Sequence, residues 1–212
     1  MATAADSEKH AGAEPFVPPT RSIERLAEAA QACRGCDLYR DANQAVFGEG
    51  LPTARLLLIG EQPGDQEDKR GHPFVGPAGS VLWKCVEAAG ISRTDVYVTN
   101  AVKHFKHEVR GKRRLHKRPN NEEIAACHPW LDAELRSVSA SVIVALGASA
   151  ARGVLGRTTS IGTSRGKAIE HGDLTVFVTY HPSAALRDQE ASRAIRDAIT
   201  DDLRAAWERA TQ

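Results

Sequence analysis

Residues 55–68 read RLLLIGEQPGDQED. A nearly unbroken apolar run ends abruptly in a glycine, a proline, a second glycine and several acids. Apolar residues that do not alternate with polar ones mark a strand covered on both faces, as in a parallel sheet. Three further runs share the pattern: Val96–Thr99 (VYVT), Val142–Leu146 (VIVAL) and Thr175–Thr179 (TVFVT). Helical periods separate them. Ala78–Ala89 is stopped by Gly90, Asn121–Leu135 and Ala148–Leu155 follow, and Asp188–Ala210 comes last. This alternation predicts a three-layer α/β/α sandwich with a four-stranded, mostly parallel sheet. Ligands of such sheets bind beyond the carboxyl ends of the strands. The segments placed there are Gly60–Asp65, Asn100–His104, Gly147–Ser149 and Tyr180–Ser183.

Upstream, Ser22 suits the N-cap of a helix carrying Ile23, Leu26, Ala27 and Ala30, which leads into Cys33-Arg34-Gly35-Cys36. Residues 1–20 show no apolar period and read as a disordered tail, leaving 21–212 as a single domain. The 212 residues are 42% hydrophobic and 26% charged, an ordinary globular balance that excludes collagen-like, disulfide-scaffold and wholly disordered classes. No window is long and apolar enough to span a bilayer, and no charged-then-apolar leader opens the chain. The expected setting is therefore intracellular (cytoplasmic), with reduced cysteines.

A formal net charge of +1 conceals an uneven distribution. Lys103–Arg118 holds eight basic residues and one acid, Glu108, so the rest of the chain is acidic. Such a segment is either a solvated loop or a contact for a polyanion. Cys33 and Cys36 form a pair of soft ligands and Cys127 a third, while Cys85 sits among apolar helix residues as a core thiol. The CxxC spacing also suits a redox pair, but no thioredoxin-like pattern surrounds it.

Taken in order, CRGC (33–36), GEQPGDQED (60–68), PFVGPAG (73–79), VTNAVKH (98–104) and HPSAALR (181–187) resemble the iron–sulfur branch of the uracil-DNA glycosylase superfamily. The basic segment GKRRLHKRP (111–119) is similar to the loop of its X-type members, which excise uracil and then stay attached to the DNA through a loop histidine. The resemblance covers roughly residues 22–206. It implies a uracil-DNA glycosylase-like fold and, as substrate, uracil-containing DNA, single-stranded and double-stranded, met by a monomer. It also implies a [4Fe–4S] cluster held by Cys33, Cys36, Cys127 and His104, where His104 stands in the place of a cysteine. Zinc on the same Cys3His set is the chemical alternative.

The chemistry can be followed residue by residue. Phe74, by resemblance, stacks on the extruded base. The Asn100 carboxamide can accept from uracil N3–H and donate to O4, a pattern that cytosine inverts. Cleavage builds positive charge on the sugar and negative charge on the base, and each needs a stabiliser placed beforehand. Glu61 suits the sugar and His181 suits uracil O2, while Gln62 and Asp65 are expected to line the same pocket. Within the basic segment, Arg113, Arg114 and Lys117 are expected on phosphates, as are Ser183 and Arg187. His116 is the expected nucleophile, kept neutral by neighbouring cations. Two alternatives remain open: a conventional multiple-turnover glycosylase with His116 as a DNA contact, and a non-catalytic damage-binding module.

Overall fold

The four apolar runs pair as parallel strands in a computed structural model that describes residues 12–187 and 189–212. In chain order the elements are α1 (Ile23–Ala30), β1 (Leu56–Gly60), α2 (Asp65–Arg70), α3 (Pro77–Ala88), β2 (Val96–Asn100), β3 (His107–Arg110), β4 (Arg113–His116), α4 (Asn121–Ser137), β5 (Val142–Leu146), α5 (Ala148–Leu155), α6 (Ile161–Ser164), β6 (Ile169–His171), β7 (Leu174–Thr179) and α7 (Gln189–Ala210). The main sheet runs β2-β1-β5-β7-β6. β1 pairs in parallel with β2 and β5, and β5 with β7.

Period two divides each strand between two helical layers. Leu57, Ile59, Ile143, Ala145, Val176 and Val178 pack toward α1, α4 and α5. Leu56, Leu58, Val142, Val144, Leu146 and Phe177 pack toward α3 and α7. Local chemistry starts and stops the helices where the sequence indicates. The Ser22 side chain accepts from Arg25 N–H at 3.3 Å, and Asn120 and Glu123 form a reciprocal capping box on α4. Gly90 adopts φ +76 just beyond α3.

Four features depart from the expectation. A fifth strand, β6, pairs antiparallel with β7 at the sheet edge. A short helix, α2, follows the glycine-rich turn after β1. The basic segment is a two-stranded hairpin, β3–β4, with Gly111 at φ +61 in its two-residue turn. Finally, residues 12–20, assigned to the tail, pack against the body: Ala13 is buried and its N–H donates to Ala126 O at 2.7 Å. The disordered-tail boundary at residue 20 is corrected accordingly. The rest of that tail, residues 1–11, and the expected first helical residue, Asp188, lie outside the described residues.

Candidate active site

The parallel register brings the ends of β1, β2, β5 and β7 to one edge. A cleft of about 880 Å³ opens there, lined by Glu61, Phe74, Asn100, His116, Arg118 and His181 among others. The edge extends the sheet pairing by two bonds: Ala101 N–H donates to Gly60 O at 2.9 Å, and Val102 N–H to Glu61 O at 3.0 Å. These fix the backbone from which Glu61 projects.

Gly60 makes the floor possible. A Cβ there would lie 2.3 Å from Asn100 Oδ1 and 2.7 Å from Phe74 Cζ. The amide and the ring therefore meet over a bare Cα. Asn100 is 3% exposed, and among the described residues no protein group hydrogen-bonds its carboxamide. Its carbonyl, by contrast, accepts from the buried Lys103 Nζ at 2.7 Å, which pins the end of β2. Phe74 has φ +54, a left-handed conformation rare for a bulky residue and costing roughly 1–3 kcal/mol. The surroundings enforce it. Glu67 Oε1 accepts from Gly76 N–H at 2.7 Å, and α3 passes so close beneath that a Cβ on Gly79 would sit 1.9 Å from Phe74 O.

Glu61 is held from two sides. Its Oε2 accepts from Ser149 Oγ and lies 3.3 Å from Arg118 Nε, which also donates to Ser149 Oγ at 2.9 Å. Its Oε1 lies 3.4 Å from His116 Nε2. Neither Ser149 nor Arg118 was singled out in the sequence. A small polar residue in the first turn of the helix that follows β5, on the ligand edge, was the available signal for Ser149.

His181 faces the same space. Its Nδ1 accepts from Ser183 N–H at 3.2 Å and lies 2.8 Å from Ser183 Oγ. A neutral ring whose Nδ1 accepts must carry its proton on Nε2. Burial pushes His181 down to about 4, with Glu61 opposing and His116 and Arg187 reinforcing, so at neutral pH it is an uncharged donor. Ser183, expected on phosphate, is thus engaged in orienting His181. The His116 pKa is also lowered, first by burial and then by Arg187, against Glu61. The ring is neutral as expected, but partial burial is the main cause, with Arg187 the cation acting on it and not the cations of its own segment.

The basic segment is more neutralised than its composition implies. Lys103 is wholly buried against Glu134. Lys106 pairs with Glu123 at 2.8 Å and Lys117 with Glu108 at 2.5 Å. Arg114 binds Asp65 at 2.7 Å and Asp68 at 2.6 Å, with its guanidinium over the Phe105 ring. Arg114, expected on phosphate, is corrected to a strut between hairpin and α2, and Asp65, its partner, also lines the cleft. Lys117 is likewise engaged across the hairpin. Arg113 remains exposed. Gln62 lines the cleft, and its amide donates to Lys106 O at 3.1 Å and Lys117 O at 2.9 Å and accepts from Lys106 N–H at 3.0 Å. It clasps the base of the hairpin that carries His116.

No disulfide joins any of the four cysteines. Burial pushes Cys127 up to about 12, with Lys103 opposing and Cys36 and Cys33 adding to the rise. Cys36 is raised by burial with a further contribution from Cys33. These three thiols therefore share one neighbourhood. Cys127 Sγ accepts from Lys103 N–H at 3.3 Å, next to His104, and His104 is pushed down to about 4 by burial with Arg34 of the CxxC turn contributing. Among the described residues no three His, Cys, Asp or Glu converge tightly enough for a single ion. A four-iron cluster is larger and keeps its ligands farther apart, and the thiol-rich donor set fits it. Cys85 lies apart, in the α3–α7 core, as expected.

Among the described residues no helix is long and apolar enough to cross a membrane. Residues 47–204 match the family model of the uracil DNA glycosylase superfamily. The type-4 uracil-DNA glycosylase of Thermotoga maritima is 37% identical over 186 residues, covering 87% of this chain and 92% of its own. That of Sulfurisphaera tokodaii is 34% identical over 185 residues, covering 83% and 81%. The type-5 uracil-DNA glycosylase of Mycobacterium leprae is 28% identical over 196 residues, covering 76% and 85%. A match over most of the chain, on the fold and cleft described above, means that the chain belongs to the uracil-DNA glycosylase superfamily.

Proposed function

We propose that this chain excises uracil from DNA, acting as a monomer in the iron–sulfur branch of its superfamily. The relatives named type-4 uracil-DNA glycosylases support the activity. The observation that carries the assignment of roles is the convergence of Glu61, Asn100, Phe74 and His181 on one cleft. Phe74 stacks on the base, Asn100 reads its N3–H and O4, and His181 donates from Nε2 to O2. The C1′–N1 bond breaks with its electron pair leaving on uracil, and Glu61 stabilises the cationic sugar. Arg113 and Arg187 remain the candidates for flanking phosphates. Cys33, Cys36, Cys127 and His104 would hold a [4Fe–4S] cluster, which would tie α1, α4 and the segment after β2 together. No reaction step passes through it.

A specific observation favours an X-type ending to the reaction: His116 Nε2 lies beside Glu61 inside the cleft and the ring is held neutral. Its lone pair can form a bond to C1′, and the resulting imidazolium then loses its remaining N–H proton to leave a neutral N-alkylimidazole, a poor leaving group. Water attacking C1′ is the conventional ending, and the names of the type-4 relatives carry glycosylase activity without capture. Incubation with a uracil-containing oligonucleotide, followed by denaturing electrophoresis and a count of uracil released per protein, separates the two. Capture gives a stable protein–DNA band and one uracil per chain, and His116→Ser loses the band but keeps releasing uracil. Many turnovers without a band refute capture, and no uracil from any substrate refutes glycosylase activity.

A further inference from the structure

A second, shallower groove adjoins the cleft. It has a volume of about 620 Å³, and Gln66, Pro77 and Leu186 line both, so the two are continuous. Three cations from three elements face it: Arg70 at the end of α2, Lys84 on α3 and Arg196 on α7. All three are exposed. No aspartate or glutamate lines the groove, and among the described residues none of the three side chains has an acidic partner. It contrasts with Lys103–Arg118, where five of the eight cations are paired. Unpartnered like charges on neighbouring elements repel one another, and they make a site for a polyanion.

We propose that Arg70, Lys84 and Arg196 bind the phosphates of the DNA strand as it leaves the cleft, forming a sequence-independent track beyond the extruded nucleotide. The inference rests on DNA being the substrate and extends it to a path on the surface. The α3 helix sets the scale. Lys84 lies seven residues past Pro77 at the cleft edge, about 10 Å of helix at 1.5 Å per residue. The groove thus meets phosphates outside the pocket and none belonging to the bound nucleotide itself. Gln66 and Ser80 add neutral polar groups along the way, and the exposed Leu186 forms the ridge between cleft and groove. Contacts of this type raise affinity for every sequence equally and release counterions.

The test uses the full chain with Arg70→Gln, Lys84→Gln and Arg196→Gln combined, all exposed positions. Binding of a labelled uracil-free single strand is followed by fluorescence anisotropy between 50 and 200 mM salt. Losing three phosphate contacts at about 0.7 each flattens the log–log salt slope by about 2. Wild-type affinity should therefore fall about 20-fold more than that of the variant over this fourfold salt range. Uracil release from a trinucleotide with a central deoxyuridine, too short to reach the groove, should be unchanged. Equal salt slopes for variant and wild type overturn the proposal. So does an equal loss on the trinucleotide, which would place the cations' effect in the cleft. Wild-type protein that binds the long strand with the expected slope yet frees no uracil would leave the track standing and sink the glycosylase reading instead.

Discussion

Replacing Gln62 with glutamate changes one atom of the clasp beneath His116. The amide nitrogen now donates to Lys106 O at 3.1 Å and Lys117 O at 2.9 Å, while the amide oxygen accepts from Lys106 N–H at 3.0 Å. A carboxylate of the same shape keeps the accepted bond but turns an oxygen toward two carbonyl oxygens. Two donated bonds are lost at about 1 kcal/mol each, so the closed hairpin is destabilised by about 2 kcal/mol, with oxygen–oxygen repulsion adding to that. At 1.4 kcal/mol per decade this is about a 30-fold rise in the open population. The Lys117 N–H, which donates to Lys106 O at 3.0 Å across the same base, is the reporter. Its hydrogen exchange, limited by opening, should accelerate by about the same factor, while β1 and β5 amides stay protected. Acid that protonates the new carboxyl restores a donor and should recover part of the protection. If capture occurs, the ratio of cross-linked product to free uracil should fall in step. Unchanged Lys117 protection in a folded Gln62→Glu protein would refute the clasp.

Three other outcomes follow from the same geometry. The imidazolium of His116 has no lone pair, and burial lowers its pKa from the ordinary 6.5. The rate of band formation should be flat above neutrality and decline only as pH drops through the lowered value, whereas a decline beginning above 6.5 would contradict the lowering. Gly60→Ala should displace Phe74 and Asn100, whose atoms lie 2.7 and 2.3 Å from the new methyl position. Release of uracil should fall about a hundredfold in single-turnover assays with the circular dichroism spectrum retained. Iron and sulfide analysis should find the cluster lost in Cys33→Ala and kept in Cys85→Ala, whose thiol packs between α3 and α7.

Much of this was legible in the sequence because it rests on short-range patterns. RLLLI and VIVAL declare doubly covered strands, and strand ends in a parallel sheet must share an edge, so Glu61, Asn100 and His181 were placed together without coordinates. Three things escaped for identifiable reasons. The β3–β4 hairpin is built mostly from Arg, His and Glu, with only Val109 and Leu115 apolar, so no period-two apolar pattern shows. Its turn signal was only Gly111-Lys112. The pairing of Arg114 with Asp65 and Asp68 spans more than forty residues, and no local rule reports which of eight cations is internal. Buried Lys103 shows the difficulty most plainly, since a lysine in a basic run reads as surface until Glu134, Thr99 and the Asn100 carbonyl surround it. The ordering of residues 12–20 depends likewise on a distant acceptor, Ala126 O.

The two oxygens of Glu61 divide the chemistry. Oε2 is engaged by Ser149 and Arg118, which fixes the orientation of the carboxylate. Oε1 faces His116, whose position depends on supports that bond cleavage does not use: the Gln62 clasp, the Arg114 strut and the Phe105 ring, 6.1 Å from the imidazole. Removing the imidazole therefore leaves the cleavage groups in place and frees Oε1 for water. A His116→Ser protein should gain turnover as it loses capture, because the same carboxylate that faced a ring nitrogen can then orient the attacking water. On the proposed roles, the choice between a trapped and a recycled enzyme would turn on which nucleophile faces one oxygen atom, with base recognition by Phe74, Asn100 and His181 common to both.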